Sequence, residues 1–560
     1  MRRRRHPAPL ARAVAAALAA VVLLAAAAVA AAGILWKDND GQPIPEPAED
    51  DAGNHTWWHD AHSMSVYQAG KVLDLGESLP ALARASGLAG PREAVNVNAL
   101  DGVPDSTWFT NRHARRRLAP AALRRGPDGQ PPPAADGPLT IESGKALGEA
   151  PGFVVRDATG ARFVVKLDPP AHPEMATGAE QVSARIVHAL GWHVPAYHLF
   201  TIDPARLVLA PDATTRDDYR RRRPMTAADV EKVLACAARR PDGSYRATAS
   251  AFIPGTPKGP FRMEGTRPDD PNDTVPHEDR RDLRGFRVVA AWINHTDFRP
   301  ANTFDTFVRR PGDPPGRGRL VHYLLDFSST LGSADLVWKD AKRGHEYVID
   351  PAGIAGRFLT LGVRVEPWED AALRHPTLGY FAGAPFDPDA WVPEYPSPPF
   401  DRATARDELW GAALVASVTD DDLRVLVETA AWSDPAATAL LFEALRARRD
   451  AVARTCFAAA RINPADDFTV DDAAFRWVDR AVAAGVVAAA DARYRYRVDD
   501  GARVVSENPA VPRARLAAAG WVELETSHDR GAHWSPTATV RLERGRDGTP
   551  RVAGIARASR

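Results

Sequence analysis

Two β-rich runs, Gly152–Arg156 (GFVVR) and Arg162–Leu167 (RFVVKL), flank Asp157–Ala161 (DATGA), whose turn residues suit a hairpin. Over Glu174–Leu190 the apolar residues Val182, Ile186, Val187 and Leu190 recur at helical spacing, and Gly191 supplies a stop. Val194–Ile202 reads as another strand. The order strand, hairpin, strand, helix, strand predicts an antiparallel sheet crossed by one helix. Further along, Asp279–Asn294 sets Leu283, Phe286, Val289, Ala290 and Ile293 on one helical side. A loop follows over Asn294–Phe304, then a strand-like apolar run, Val321–Phe327. Asp401–Ala459 is predicted mostly helical and Val470–Val487 as one more helix, and the chain turns β-rich from Tyr494.

The N-terminal pattern is of another kind. Arg2, Arg3, Arg4, Arg5 and Arg12 precede an uncharged run from Ala13 to Trp36. That is long enough for a transmembrane helix, which needs about 20 apolar residues, whereas a signal-peptide core has ~7–15. The basic flank should stay in the cytoplasm. The expectation is a single-pass protein of a bacterial inner membrane, its main domain periplasmic or extracellular. A cleaved signal sequence would export the same domain. The expected organisation is a basic tail (1–12), the anchor or signal (13–36), a linker and N-terminal extension (37–135), a first lobe (136–257), a second lobe (258–490) and a β-rich region (491–560). Arginine far outnumbers lysine, as in GC-rich bacterial genomes.

Composition narrows the classes. The 560 residues are 45% hydrophobic and 26% charged, with formal net charge −1, which is globular and argues against a nucleic-acid binder. Cys236 and Cys456 have no CxxC-type spacing for zinc and are expected as buried thiols. His55, His59 and His62 would share one helical face, either as metal ligands or as part of an amphipathic segment packed through Trp57 and Trp58.

Candidate chemistry lies in four places. Lys166 ends the second hairpin strand and is the only lysine between residues 146 and 231; Glu180, on the following helix, could hold it. Gly144, Lys145 and Gly148 (SGKALG) precede the hairpin, and glycine-bearing turns can cradle phosphate, although a surface turn is the plainer reading. Asp297 and Asn302, in INHTDFRPANTFD, have the D-x-x-x-x-N spacing of a kinase catalytic loop. Asp326 follows an apolar run in LLDFSSTLG, as a metal ligand or as a strand-end turn cap. Phosphoryl transfer needs these parts: a loop over the phosphates, a lysine on them, metal ligands, and an aspartate beside the attacking hydroxyl.

With these residues the chain resembles the protein-kinase-like superfamily, in style the HipA-type atypical kinases, whose N-x-D-x-x-x-x-N loop is matched by Asn294 to Asn302. FVVKLDPPAHPEMATGAE, HEDRRDLRGFRVVAAWINHTD and HYLLDFSSTLGSA also resemble a group of bacterial membrane-anchored kinase-like proteins. The resemblance spans roughly Asn96 to Gly356. It implies an α+β, two-lobed fold with an antiparallel-sheet N-lobe and a mainly helical C-lobe, here joined to an N-terminal transmembrane helix and a small C-terminal β-rich region. It implies ATP or another nucleotide with Mg²⁺ or Mn²⁺, Lys166 on the phosphates, Glu180 as its partner, Asp297 as base, and Asn302 and Asp326 on the metal. The chain departs from the pattern by lacking a full G-x-G-x-x-G loop, by His295-Thr296 before Asp297, and by Ser328 in place of glycine. The acceptor could be a protein, a glycan or a lipid-linked group. Other readings are a catalytically inactive pseudokinase acting as a membrane scaffold, or nucleotidyl transfer on the same fold. Phe252–Gly255 (FIPG) falls between the lobes, where adenine would sit. Ser527, Asp529, Gly531 and Trp534 resemble a single Asp-box, expected as a hairpin turn with a buried tryptophan.

Overall fold

The computed structural model describes residues 40–49, 92–145, 150–217, 221–348, 366, 368–516, 520–546 and 548–558. The apolar run 13–36, the three-histidine segment 55–62 and Gly148 lie outside them. Among the described residues no helix is long and apolar enough to cross a membrane.

The chain is a mixed α/β structure with three main hydrophobic cores. After the two-residue strand β1 (Ile44–Pro45) and helix α1 (Pro120–Arg125), the first core is built on β2 (Leu139–Gly144), β3 (Gly152–Arg156) and β4 (Arg162–Leu167). Helix α2 (Met175–Leu190) comes next, then β5 (Tyr197–Ile202), β6 (Leu207–Arg216), β7 (Arg222–Pro224), helix α3 (Ala227–Ala235) and β8 (Tyr245–Ala251). The seven strands form one sheet in the order β5-β8-β4-β3-β2-β6-β7. Every neighbouring pair is antiparallel except β2 and β6. Asp157 closes the β3–β4 hairpin: its carboxylate accepts from the backbone N–H groups of Thr159 and Ala161 at 2.9 and 3.0 Å, which is why aspartate suits such a turn.

Alternation sends Phe153, Val155, Phe163, Val165 and Leu167 into the sheet core and leaves Val154, Val164 and Lys166 half-buried on the opposite face. Helix α2 is buried almost all round, with only Arg185 and His188 partly exposed. It lies between the sheet and a helical layer, so a single apolar stripe would not serve it. Cys456 is buried as expected; Cys236 is exposed instead, because it ends the poorly covered helix α3.

The second core is helical. Strand β9 (Thr256–Gly259) leads to α4 (Arg281–Ile293), the hairpin β10 (Thr303–Val308) and β11 (Arg317–Leu324), and the short pair β12 (Ser333–Ala334) and β13 (Val337–Trp338). Then come α5 (Pro398–Asp401), α6 (Ala405–Ala416), α7 (Asp420–Glu428) and α8 (Pro435–Cys456). Helices α4 and α6 cross where glycine meets glycine; a Cβ on Gly411 would lie 2.5 Å from the Gly285 carbonyl oxygen. Strands β1, β11, β10 and β9 make a separate four-stranded sheet.

His193 sits where the two layers meet, its carbonyl accepting from Leu324 N–H at 2.9 Å. Arg112 Nη2 lies 3.3 Å from His193 Nδ1, which must therefore accept. Burial first, then the Arg112 charge, push the His193 pKa down to about 3 from 6.5. The unfolded ring takes a proton below about pH 6.5 and the folded ring does not, so stability is full above that pH and is lost progressively toward pH 3. The urea midpoint at pH 5 should therefore lie below that at pH 7, and the drop should shrink in His193→Asn. An equal drop in the variant would remove His193 from the explanation.

The third core is β-rich, and here one expectation fails. Val470–Val487 is not a helix. It holds the end of β14 (Ala465–Val470), β15 (Ala474–Asp479) and the single helical turn α9 (Arg480–Ala483). Phe475 and Trp477 are buried against Tyr494 and Val511, and β15 pairs with β14 and with β18 (Ala510–Pro512). Cross-strand burial of two aromatics outweighs the helix propensity of the alanines that follow. The strands of this region thus begin at Ala465, ahead of residue 491. From Arg493 the rest follows as β16 (Arg493–Val498), β17 (Val504–Ser506), β19 (Trp521–Ser527), β20 (Ala538–Arg544) and β21 (Pro550–Arg557), in the sheet order β17-β16-β19-β20-β21.

Candidate functional site

Strand register brings the candidate residues together. In the β10–β11 hairpin Thr303 is opposite Leu324, so Asn302, one residue before β10, comes beside the residues just after β11. Leu325 N–H accordingly donates to the Asn302 carbonyl at 2.9 Å, and Asp326 is next. In the large sheet Lys166 is opposite Gly152, and Lys145 N–H donates to the Gly152 carbonyl at 3.3 Å. Lys145 and Lys166 therefore flank Gly152 on neighbouring strands. Gly152 could not be another residue, since a Cβ there would lie 2.0 Å from the Val165 carbonyl oxygen.

Lys166 is the centre of the cluster. Its Nζ donates to Glu180 Oε1 at 2.7 Å, to Asp326 Oδ1 at 2.5 Å and to Ser328 Oγ at 3.1 Å. One ammonium cannot neutralise two carboxylates equally. Burial first, with Lys166 only partly offsetting it, pushes the Glu180 pKa up to about 7. Burial also works against an ionised Asp326, but the Lys166 charge and the hydrogen bonds from Lys166 and Ser328 hold its carboxyl well below the usual range. Against burial, Asp326 and Glu180 raise the Lys166 pKa well above that of a free lysine. Lys145 is lowered, by burial and then by the nearby Lys166 charge.

The loop after α4 carries Asp297. Arg448 donates to the Ala291 and Trp292 carbonyls at 2.7 and 2.9 Å, capping the last turn. Asn294 then leaves the helix in a left-handed conformation, φ 53°. Asn302 Nδ2 donates to Asp297 Oδ2 at 2.9 Å and to the Asp297 carbonyl at 2.7 Å, and Arg299 Nε lies 2.7 Å from Oδ1. Burial pushes the Asp297 pKa up to about 7, although Arg299 pulls against it. A carboxylate titrating there can take a proton near neutral pH.

Three contributors escape a linear reading of the sequence. Lys339, 2% exposed, donates to Thr296 Oγ1 at 2.7 Å and to the Ser329 carbonyl at 2.8 Å. Thr296 passes its own hydrogen to Glu394 Oε1 at 2.7 Å. Lys339 thus ties the loop of Asp297 to the turn of Asp326. The chain has eight lysines, and three of them, Lys145, Lys166 and Lys339, are at this cleft; that scarcity was the one usable signal. Tyr197 is the third, its hydroxyl accepting from Asp326 N–H at 3.3 Å.

Other expected positions lie elsewhere or do something else. Gly144 is within β2, packed on Thr215, where a Cβ would meet Oγ1 at 2.8 Å. Phe252 turns outward, 40% exposed, with the Arg162 guanidinium 4.3 Å from its ring centroid. Ser527 accepts from Gly531 N–H at 2.8 Å and donates to Asp529 Oδ1 at 2.7 Å, forming the expected turn; Trp534 is only half-buried, beneath Arg495 at 4.4 Å.

No family model matches the chain, and no curated protein matches it. Among solved structures the chain is similar to the Golgi casein kinase in a crystal structure with Mn/ADP bound. The identity is 11% and the TM-score 0.26, over 74% of this chain and 94% of that one.

Proposed function

We propose that the chain is a protein-kinase-like phosphotransferase that binds ATP, or another nucleotide, with Mg²⁺ or Mn²⁺. The observation that carries this reading is the Lys166 ammonium shared between Glu180 and Asp326 while Asn302 is backbone-paired beside Asp326. A lysine–glutamate pair beside a metal-side aspartate is the set that protein kinases use for phosphoryl transfer.

The donor set fits a hard cation. Asn302 spends Nδ2 on Asp297, so its Oδ1 faces the other way, and no described group donates to Asp326 Oδ2. Among the described residues no group of three or more His, Cys, Asp or Glu side chains could hold an ion. Asn302 Oδ1 and Asp326 Oδ2 would be the one or two protein oxygens of a Mg²⁺-type site, completed by phosphates and water. A bound Mg²⁺ or Mn²⁺ would neutralise charge on the phosphate oxygens.

Lys166 and Lys145 would hold those oxygens, and Val154 and Val164, opposite each other on the face of Lys166, would flank the base. The acceptor oxygen attacks the γ-phosphorus, the bond to the β-phosphate oxygen breaks, and Asp297 takes the hydroxyl proton. The acceptor is a protein, glycan or lipid-linked hydroxyl. We place the protein in a bacterial inner membrane, held by residues 13–36, with this domain outside the cytoplasm; the arginines before that run support this orientation.

Calorimetric titration with ATP tests the reading. Binding should require Mg²⁺ or Mn²⁺ and should weaken at least about tenfold in Asp326→Ala, the loss of a charged ligand being worth about 1.4 kcal/mol or more. Asp297→Asn should keep binding and lose phosphotransfer. Binding with no cation dependence, or none at all, would instead favour the scaffold reading.

A further inference from the structure

Asp326 is held in a left-handed backbone conformation, and two side chains, Tyr197 and Ser328, hydrogen-bond to it there. Its φ is +59°, a left-handed conformation that an aspartate adopts as a single residue when local hydrogen bonds support it. Tyr197, on β5, accepts the Asp326 N–H at 3.3 Å, and its ring meets Phe327 edge-on at 6.3 Å between centroids. Ser328 Oγ lies 2.6 Å from Asp326 Oδ1 and accepts from Lys166 Nζ at 3.1 Å.

The hydrogen accounting fixes what Ser328 does. A serine hydroxyl has one hydrogen, and here it goes to Oδ1, the same oxygen that Lys166 contacts. Both donors fall on Oδ1, and among the described residues none falls on Oδ2. An ammonium is a point charge with rotatable donors and does not by itself choose how a carboxylate is turned. The hydroxyl does: the triangle of Lys166, Ser328 and Asp326 has one closed geometry. Ser328 is 1% exposed, whereas the Asp326 side chain is 32% exposed, so the carboxylate is gripped from its buried side and open on the other.

We infer that Ser328 and Tyr197 are positioning residues that orient Asp326 so that Oδ2 is presented to the divalent cation. Serine takes over with a directed hydrogen bond what a glycine at that place would leave to backbone freedom. The inference rests on the nucleotide-binding reading above.

The test is the Mg²⁺ or Mn²⁺ concentration giving half-maximal ATP binding, measured by calorimetry on the full chain, with melting temperature read in parallel. Ser328→Ala and Ser328→Gly should raise that concentration about 5- to 10-fold, as expected for losing the net contribution of one ordinary hydrogen bond, and Ser328→Thr should restore it. Tyr197→Phe should shift it in the same direction by a smaller factor. Should Ser328→Ala melt early, Tyr197→Phe and Ser328→Thr still decide the matter. Unchanged cation midpoints in variants that bind ATP would overturn the inference and leave the proposed function standing. A wild-type protein that binds ATP without regard to cation would overturn both.

Discussion

Lys166→Met should weaken ATP binding by about 30-fold or more. Truncating one partner of a buried, hydrogen-bonded charge pair costs about 2–5 kcal/mol, and every 1.4 kcal/mol is a factor of ten. The loss has two parts. The phosphates lose their ammonium, and Glu180 and Asp326 are left facing each other with no cation between them. Glu180, already pushed up to about 7 by burial, should then be protonated at neutral pH. A carboxyl whose folded pKa is above its unfolded value gives stability at low pH that is lost as pH rises. The variant's deficit in melting temperature relative to wild type should therefore shrink between pH 8 and pH 5.5. Calorimetry and thermal melts on the same preparation measure both; wild-type affinity in Lys166→Met would sink the assignment of Lys166.

Asp407→Ala is expected to destabilise the fold by about 2–3 kcal/mol, at or below the low end of the ~3–5 kcal/mol range for leaving a buried charge without any partner. Asp407 is fully buried between two arginines that are themselves buried: Oδ1 to Arg281 Nε at 3.0 Å and Oδ2 to Arg284 Nη1 at 3.4 Å. It also closes the capping box of α6, accepting from Thr404 N–H at 3.0 Å. Neither arginine can shed its charge. Arg281 keeps Asp101 at 2.7 Å and Arg284 keeps Asp279 at 2.7 Å, which sets the loss below that of stranding a lone cation. Urea unfolding at pH 7 measures it, and a loss under 1 kcal/mol would mean the network is slack.

Local pattern carried much of this architecture. The β3–β4 hairpin was legible because its strands and its aspartate-glycine turn are contiguous, and α2 and α4 because apolar spacing and terminal signals agree. Val470–Val487 was not, since short strands next to an alanine-rich run take their identity from partners such as Val511, thirty-odd residues away. The site divides in the same manner. Lys166, Asp297, Asn302 and Asp326 follow recognisable spacings. Lys339, Glu394 and Tyr197 reach the cleft through tertiary packing alone, and nothing beside them in the chain marks their role. Gly144 lies in β2, where the lack of a side chain makes room for Thr215.

Asp101 is shared by Arg281 of α4, Arg406 of α6 and Arg557 of β21, and Ile555 N–H donates to the Ala99 carbonyl at 2.7 Å. Residues 456 positions apart are thus fastened to each other. During synthesis at ~5–20 residues per second, Asp101 leaves the ribosome roughly 20–90 seconds before its last arginine exists. For that interval the early segment can dock on α4 and α6 only once those helices have emerged, and it stays open to attack at its margin. A chain stalled just short of residue 557 would carry every group of the cleft and still lack the Arg557 contact that joins the last strand to Asp101.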